Sequence, residues 1–261
     1  MAQVGTFKPE DITIRGQVGR RGLAALLRVQ EIVSAHGPYA YLEIGSYLGR
    51  TLCPHLLDDD CIAALSIDLR PDVTPDERFE LGMYKGVSAD DMRSELAKQC
   101  GPAHLAKLTT ITDSSAWLRK GLAPDRYAMC LIDGEHTNTA VFADFLHVRR
   151  AMAEDCVICF DDTHIVYPGI MNAVATLEDA RLHYHVIHCK GGVTVVGIGR
   201  MATAVRDQLE PGHHLSPDAM VARYRANILG NMVTHDLPSA IARDPELAKR
   251  VAAMLDDQST E

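Results

Sequence analysis

One pattern constrains this chain more than any other: five times, a short run of mostly apolar residues stops at a polar or glycine residue. The runs are YAYLEIG (39–45), CIAALSID (61–68), LTTITD (108–113), YAMCLID (127–133) and CVICFDD (156–162). Strands this apolar on both faces need helices above and below the sheet. The spacers supply them, because SADDMRSELAKQ (88–99), TAVFADFLHVRRAMA (139–153) and GIMNAVATLEDAR (169–181) read as helices. Upstream, Leu23, Leu26, Leu27 and Val33 mark a packing helix within 15–37 that Gly37-Pro38 stops. Strands alternating with helices predict an α/β fold on a mostly parallel sheet with right-handed crossovers. YHVIHC (184–189) and VTVVGIG (193–199) flank Lys190-Gly191-Gly192, so the last two strands form an antiparallel hairpin.

Ligands of such sheets bind beyond the carboxyl ends of the strands, where all five polar ends gather. The first end reads Glu43-Ile44-Gly45-Ser46-Tyr47-Leu48-Gly49. A dinucleotide site wants G-x-G-x-x-G so that the backbone can approach a pyrophosphate. Here a carboxylate stands in place of the first glycine, which repels phosphate and attracts a cation. S-adenosylmethionine is such a ligand, with a sulfonium and an ammonium and no phosphate. Asp68 follows Glu43 by 25 residues, about the spacing at which a second-strand acid reaches a ribose diol. Asp113 and Ser114 end the third strand, within reach of an adenine edge. The candidate cofactor residues are thus Glu43, Gly45, Ser46, Gly49, Asp68, Asp113 and Ser114; read singly, each also fits a turn or a helix cap.

At the other end of the rim, Asp133 closes the fourth strand and Asp161 and Asp162 the fifth. Neighbouring strands lie about 5 Å apart. Three carboxylates that close do not all stay ionised unless a cation joins them. A hard divalent ion with oxygen ligands fits, Mg²⁺ before Mn²⁺. The plainer alternative has Asp162 capping the next helix and Asp133 holding a turn. His136 lies three residues past Asp133.

The stretches YLEIGSYLGRTL, SIDLRPD, ITDSSAWL, LIDGEHTNTAVFADF and CFDDTH resemble the consecutive motifs of class I S-adenosylmethionine-dependent methyltransferases. In particular they resemble the metal-dependent sugar O-methyltransferases of macrolide biosynthesis, of the macrocin and mycinamicin type, and the cephalosporin-hydroxylase-like family. The likeness covers roughly residues 15–200. It implies a Rossmann-like, seven-stranded fold, metal ligands at Asp133, Asp161 and Asp162, and His136 as general base. The family usually has a longer carboxylate or another group at the position of Asp161, which makes that ligand the least secure. His164 is the reserve base, Glu135 has no assigned role, and His183, His185 and His188 read as packing and surface.

Composition narrows the partners. A formal net charge of -9 opposes binding to a phosphate backbone, so no nucleic acid is expected. No apolar run approaches the roughly 20 residues of a membrane span, and the first residues lack the pattern of a secretory signal, so a cytoplasmic protein is expected. The seven cysteines read as buried thiols, and Cys156-x-x-Cys159, on a strand, sends its two side chains to opposite faces. Residues 69–87 are a possible lid. The division expected is a methyltransferase domain over 1–200 and a helical extension over 201–261. In the extension Ser216-Pro217-Asp218 and Asp244-Pro245-Glu246 open two helices. The second helix carries an apolar face of Leu247, Val251, Met254 and Leu255 that favours a homo-oligomer, a homodimer first.

The expected activity is metal-dependent O-methylation of a small hydroxylated acceptor, a sugar or glycoside. A catechol-like acceptor obeys the same metal logic. An NAD-dependent oxidoreductase and a non-catalytic binding module are the rivals.

Overall fold

The computed structural model describes residues 7–70, 87–120, 126–209, 214–231, 242–247 and 249–250. The five apolar runs are β1 (Tyr39–Ile44), β2 (Cys61–Asp68), β3 (Leu108–Thr112), β4 (Tyr127–Ile132) and β5 (Met152–Phe160). They run parallel in the order β3-β2-β1-β4-β5. β6 (Tyr184–Cys189) and β7 (Thr194–Ile198) are antiparallel, with β7 lying between β5 and β6. Among the described residues the sheet has eight strands, one more than the seven expected, because β8 (His214–Leu215) pairs with the outer edge of β6. Two residues are too few for a period-2 pattern to show in the sequence.

The helices are α1 (Arg20–Ser34), α2 (Leu52–Leu57), α3 (Ala89–Leu96), α4 (Pro102–Leu105), α5 (Asn138–Val148), α6 (Thr163–Asp179), α7 (Arg200–Gln208) and α8 (Pro217–Asn231). They make two apolar layers. Leu23, Ile32, Leu52 and Val205 fill one with Leu131 of β4, while Phe145 and Ile170 fill the other with Ile132. Every residue of β1 is buried, which is why the strand shows no alternation. Each fully buried Leu, Ile or Val contributes about 1.5–3 kcal/mol. Cys156 and Cys159 belong to opposite layers, and all seven cysteines are buried free thiols.

Two boundaries differ from the expected ones. The helix expected over 139–153 ends at Val148, because Met152 is drawn into the sheet opposite Tyr127. The helix expected to begin at 169 begins at Thr163 and runs through Pro168, with a kink at Val166 (φ -111°, ψ 25°). The kink absorbs the ring that would otherwise break the helix. Of the possible lid, only residues 69, 70 and 87 are described, and Val251, Met254 and Leu255 lie outside the described residues. The first tail helix, α8, docks on α6 and buries Met220 completely.

The chain runs outward from β1 through β2 to β3, then returns to place β4 on the other side of β1. Ligand crevices form at such reversals of strand order. Backbone hydrogen bonds knit the three strand ends there: Gly45 N donates to Ile67 O (2.9 Å) and Asp133 N to Ile44 O (2.8 Å). Gly45 has φ +79°, and a Cβ on it would lie 2.0 Å from the carbonyl oxygen of Asp133. Only glycine allows this approach.

Candidate active site

The crevice is a cavity of about 310 Å³, lined by the ends of β1, β2, β3 and β4, by α5, and by residues 16–18. Gly45, Ser46, Asp68, Asp113 and Ser114 all line it, as their place at strand ends predicts. Asp68 anchors the loop after β1: its Oδ2 accepts from Ser46 N (2.9 Å) and Tyr47 N (3.1 Å). The Ser46 hydroxyl meets that of Ser66 at 2.8 Å.

Glu43 and Gly49, expected beside the ligand, are not among the residues that line the cavity. Glu43 is fully buried beneath the floor, where both carboxylate oxygens are engaged by the hydroxyls of Tyr41 and Thr51. Burial pushes its carboxyl up to about 7, against the pull of hydrogen bonds from Tyr41, Ser46 and Thr51. Thr51, which donates to Glu43, does line the cavity. A strand-end position was legible, but its side chain points inward one residue before the strand opens. Gly49 serves the turn, with φ +85° and Leu96 packed against it.

Three ligand-type atoms converge at the reacting end. They come from Asp133, His136 and Asp162 and lie within 4.8 Å of one another. The Nε2 atom of His136 is 3.2 Å from Asp162 Oδ2 and 3.7 Å from Asp133 Oδ1, and the imidazole is almost buried. Burial is the main cause that raises the Asp133 carboxyl to about 6; His136 opposes it and Asp162 adds to it. Asp161, expected as a ligand, is not part of this cluster. Its carboxyl is held well above the usual range by burial and by the charges of Asp133 and Asp162. Asp162 sits at the N-cap of α6 in a left-handed conformation (φ 47°, ψ 34°), and its side chain makes no cap hydrogen bond. The plain capping alternative therefore fails. His164 Nδ1 stands 4.0 Å from Asp162 Oδ1, at the edge of the cluster.

The sequence reading missed two groups of cavity residues. Arg70 is buried beside Asp68, with Nη2 3.2 Å from Asp68 Oδ2 and 3.1 Å from Met92 Sδ. Among the described residues its buried Nε and Nη1 find no hydrogen-bond partner. Burial lowers its pKa, opposed by Asp68 and Glu43. Its only signal was a basic residue two places after the strand-end acid. The second group is Ser115, Asp144 and His147, where Ser115 Oγ meets His147 Nδ1 at 2.8 Å. Asp144 and His147 lie one turn apart on α5, which reads in sequence as a spacer. Asp113, by contrast, turns on itself: Oδ1 accepts from Ser114 N (2.7 Å) and Oδ2 faces Lys120 Nζ (3.4 Å).

Residues 42–163 match a family model described as a methyltransferase domain. The match begins in β1 and ends at the first residue of α6, so it spans every strand end that faces the crevice. Residues 42–163 carry a methyltransferase domain. Methyl transfer is its reaction class, and S-adenosylmethionine is the donor expected of such a domain. Among solved structures, the methyltransferase is similar to the O-methyltransferase NovP, at 12% identity over 69% of this chain and 80% of that one, with a TM-score of 0.51. It is also similar to spermidine synthase from Thermotoga maritima (15% identity, 75% and 68% of the two chains, TM-score 0.45) and to a Corynebacterium glutamicum protein (12%, 67% and 80%, 0.46). No curated protein sequence matches it. At these identities the likenesses concern the fold alone. Among the described residues, no helix of the methyltransferase is long and apolar enough to cross a membrane.

Proposed function

We propose that this methyltransferase moves the methyl group of S-adenosylmethionine to a hydroxyl of a small acceptor, a sugar or glycosylated natural product, with a divalent ion at the reacting end. The convergence of Asp133, His136 and Asp162 at the crevice carries this reading. Their donor set, two carboxylates and an imidazole, suits Mg²⁺ or Mn²⁺. Burial is the main cause that raises the carboxyls of Asp133 and Asp161, and the charge of Asp162 adds to it; a cation would relieve both. Asp133 and Asp162 would hold the ion, which would acidify a bound hydroxyl.

The remaining chemistry belongs to the chain. The hydroxyl oxygen attacks the methyl carbon in line, the carbon–sulfur bond breaks, and the sulfonium becomes a thioether. The hydroxyl proton goes to His136 Nε2, which faces the two carboxylates that would steady an imidazolium. One nitrogen cannot both take a proton and hold an ion. The closeness of Nε2 to both carboxylates favours a second reading, with His136 as third ligand and His164 as base.

The test measures donor turnover over a panel of hydroxylated acceptors, with and without EDTA, in wild type, Asp133→Ala and His136→Ala. The proposal expects EDTA and Asp133→Ala each to abolish turnover. His136→Ala should lose about 100- to 10,000-fold while Mn²⁺ binding persists; lost Mn²⁺ binding would favour the second reading. Full turnover under all three changes contradicts both. We propose also that the protein is a cytoplasmic homodimer; sedimentation at two concentrations tests the dimer.

A further inference from the structure

Once the donor's sulfur faces Asp133 and His136 and its ribose faces Asp68, its purine meets the wall made by residues 113–116 and α5. Asp113 is committed there to its own turn and to Lys120. Ser114, Ser115, Asp144 and His147 also line the cavity at this wall, and of its two carboxylates Asp144 is the more buried.

Their protons can be assigned by counting. An ionised carboxylate only accepts, and a serine hydroxyl has one proton. Ser115 Oγ meets His147 Nδ1 at 2.8 Å, and the same hydroxyl favours the ionised form of Asp144 against burial, which pushes that carboxyl up to about 6. The serine proton therefore goes to Asp144, and His147 must donate from Nδ1, which leaves a lone pair on Nε2. Burial and the nearby Arg119 and Arg150 lower the His147 pKa, in keeping with a neutral ring. The wall thus offers acceptors toward the cavity. Asp144 Oδ2 also lies over bare backbone, 3.3 Å from where a Cβ on Gly134 would be. Adenine presents an N6 amino donor at the edge where a 6-oxo purine presents an acceptor.

We propose that Asp144, positioned by Ser115 and His147, accepts a hydrogen bond from the exocyclic amino group of the donor's adenine and so selects adenine over 6-oxo purines. The inference rests on the donor lying in this crevice, but not on the metal or the acceptor. A carboxylate facing a purine carbonyl oxygen would be repelled, so discrimination comes from an attraction gained and a repulsion avoided.

The test compares binding of S-adenosylhomocysteine with its 6-oxo analogue, S-inosylhomocysteine, by calorimetry. Wild type should prefer the adenine ligand at least about tenfold, the effect of one hydrogen bond to a charged group. In Asp144→Ala the preference should fall to near one, through weaker binding of the adenine ligand. In Asp144→Asn, whose amide also donates, the 6-oxo ligand should gain. If both ligands weaken equally in both variants, or if the wild-type preference persists, the inference is overturned while the donor reading stands. If wild type binds neither ligand, the donor reading falls with it.

Discussion

Asp162 shows how much of this site is decided by single residues. A non-glycine residue in the left-handed region costs about 1 kcal/mol or more, and Asp tolerates it better than most. That backbone, with no cap bond made, is what lets the carboxylate meet Asp133 and His136. Asp162→Asn keeps the conformational tolerance and removes the charge. It should unfold within about 0.5 kcal/mol of wild type in urea and lose most of its turnover; a large loss of stability with intact turnover would reverse the assignment. Gly45→Ala should instead fail structurally, since its Cβ would meet the Asp133 carbonyl oxygen at 2.0 Å. Thermal unfolding should show a loss beyond about 3 kcal/mol, with donor binding gone. Both positions were legible as strand ends in the sequence. What was not legible is direction: Glu43 is buried against Tyr41 and Thr51, because the facing of a strand-end side chain depends on the last turn of backbone.

At the scale of elements, the five parallel strands followed from apolar runs that lack alternation, because burial on both faces leaves that mark; their order in the sheet came only with the structure. Short or interrupted elements left none. β8 has two residues, and α6 continues through Pro168 by means of the kink at Val166. α5 was legible as a helix but not as a cavity wall, since Asp144 and His147 read as ordinary polar positions until η2 (Ser115–Lys120) is placed against them. α8 covers α6, with Tyr224 6.2 Å from Tyr167 between ring centroids and Met220 fully buried. Truncation by Met220→Ala should cost about 2–5 kcal/mol in urea unfolding if α8 is an integral layer; a cost near zero would mean that it is loosely appended.

For the whole molecule, two buried groups that both touch Tyr41 tilt stability in opposite directions with pH. His55 stacks on Tyr41 at 3.5 Å between centroids, and burial lowers its pKa to about 3. The unfolded chain binds this proton first, so stability is lost as pH falls from about 6.5 toward 3. Glu43 works the other way. Its folded carboxyl keeps a proton up to about 7, whereas the unfolded one releases it near 4.5, so stability falls as pH rises between those values. Relative to Glu43→Gln, wild type should lose about 3 kcal/mol from pH 4.5 to pH 7.5; parallel pH profiles for the two proteins would contradict a buried, protonatable Glu43.

The central claim is that the reversal of strand order at β1 and β4 creates one crevice that holds the methyl donor with its sulfur toward Asp133, His136 and Asp162. A crystal structure with S-adenosylhomocysteine tests it most directly. The account predicts the ligand in this crevice, ribose hydroxyls at Asp68 and sulfur facing the Asp133–His136 end. Density for the ligand elsewhere, or with its purine at Asp133 and its sulfur beside Ser115, would contradict it.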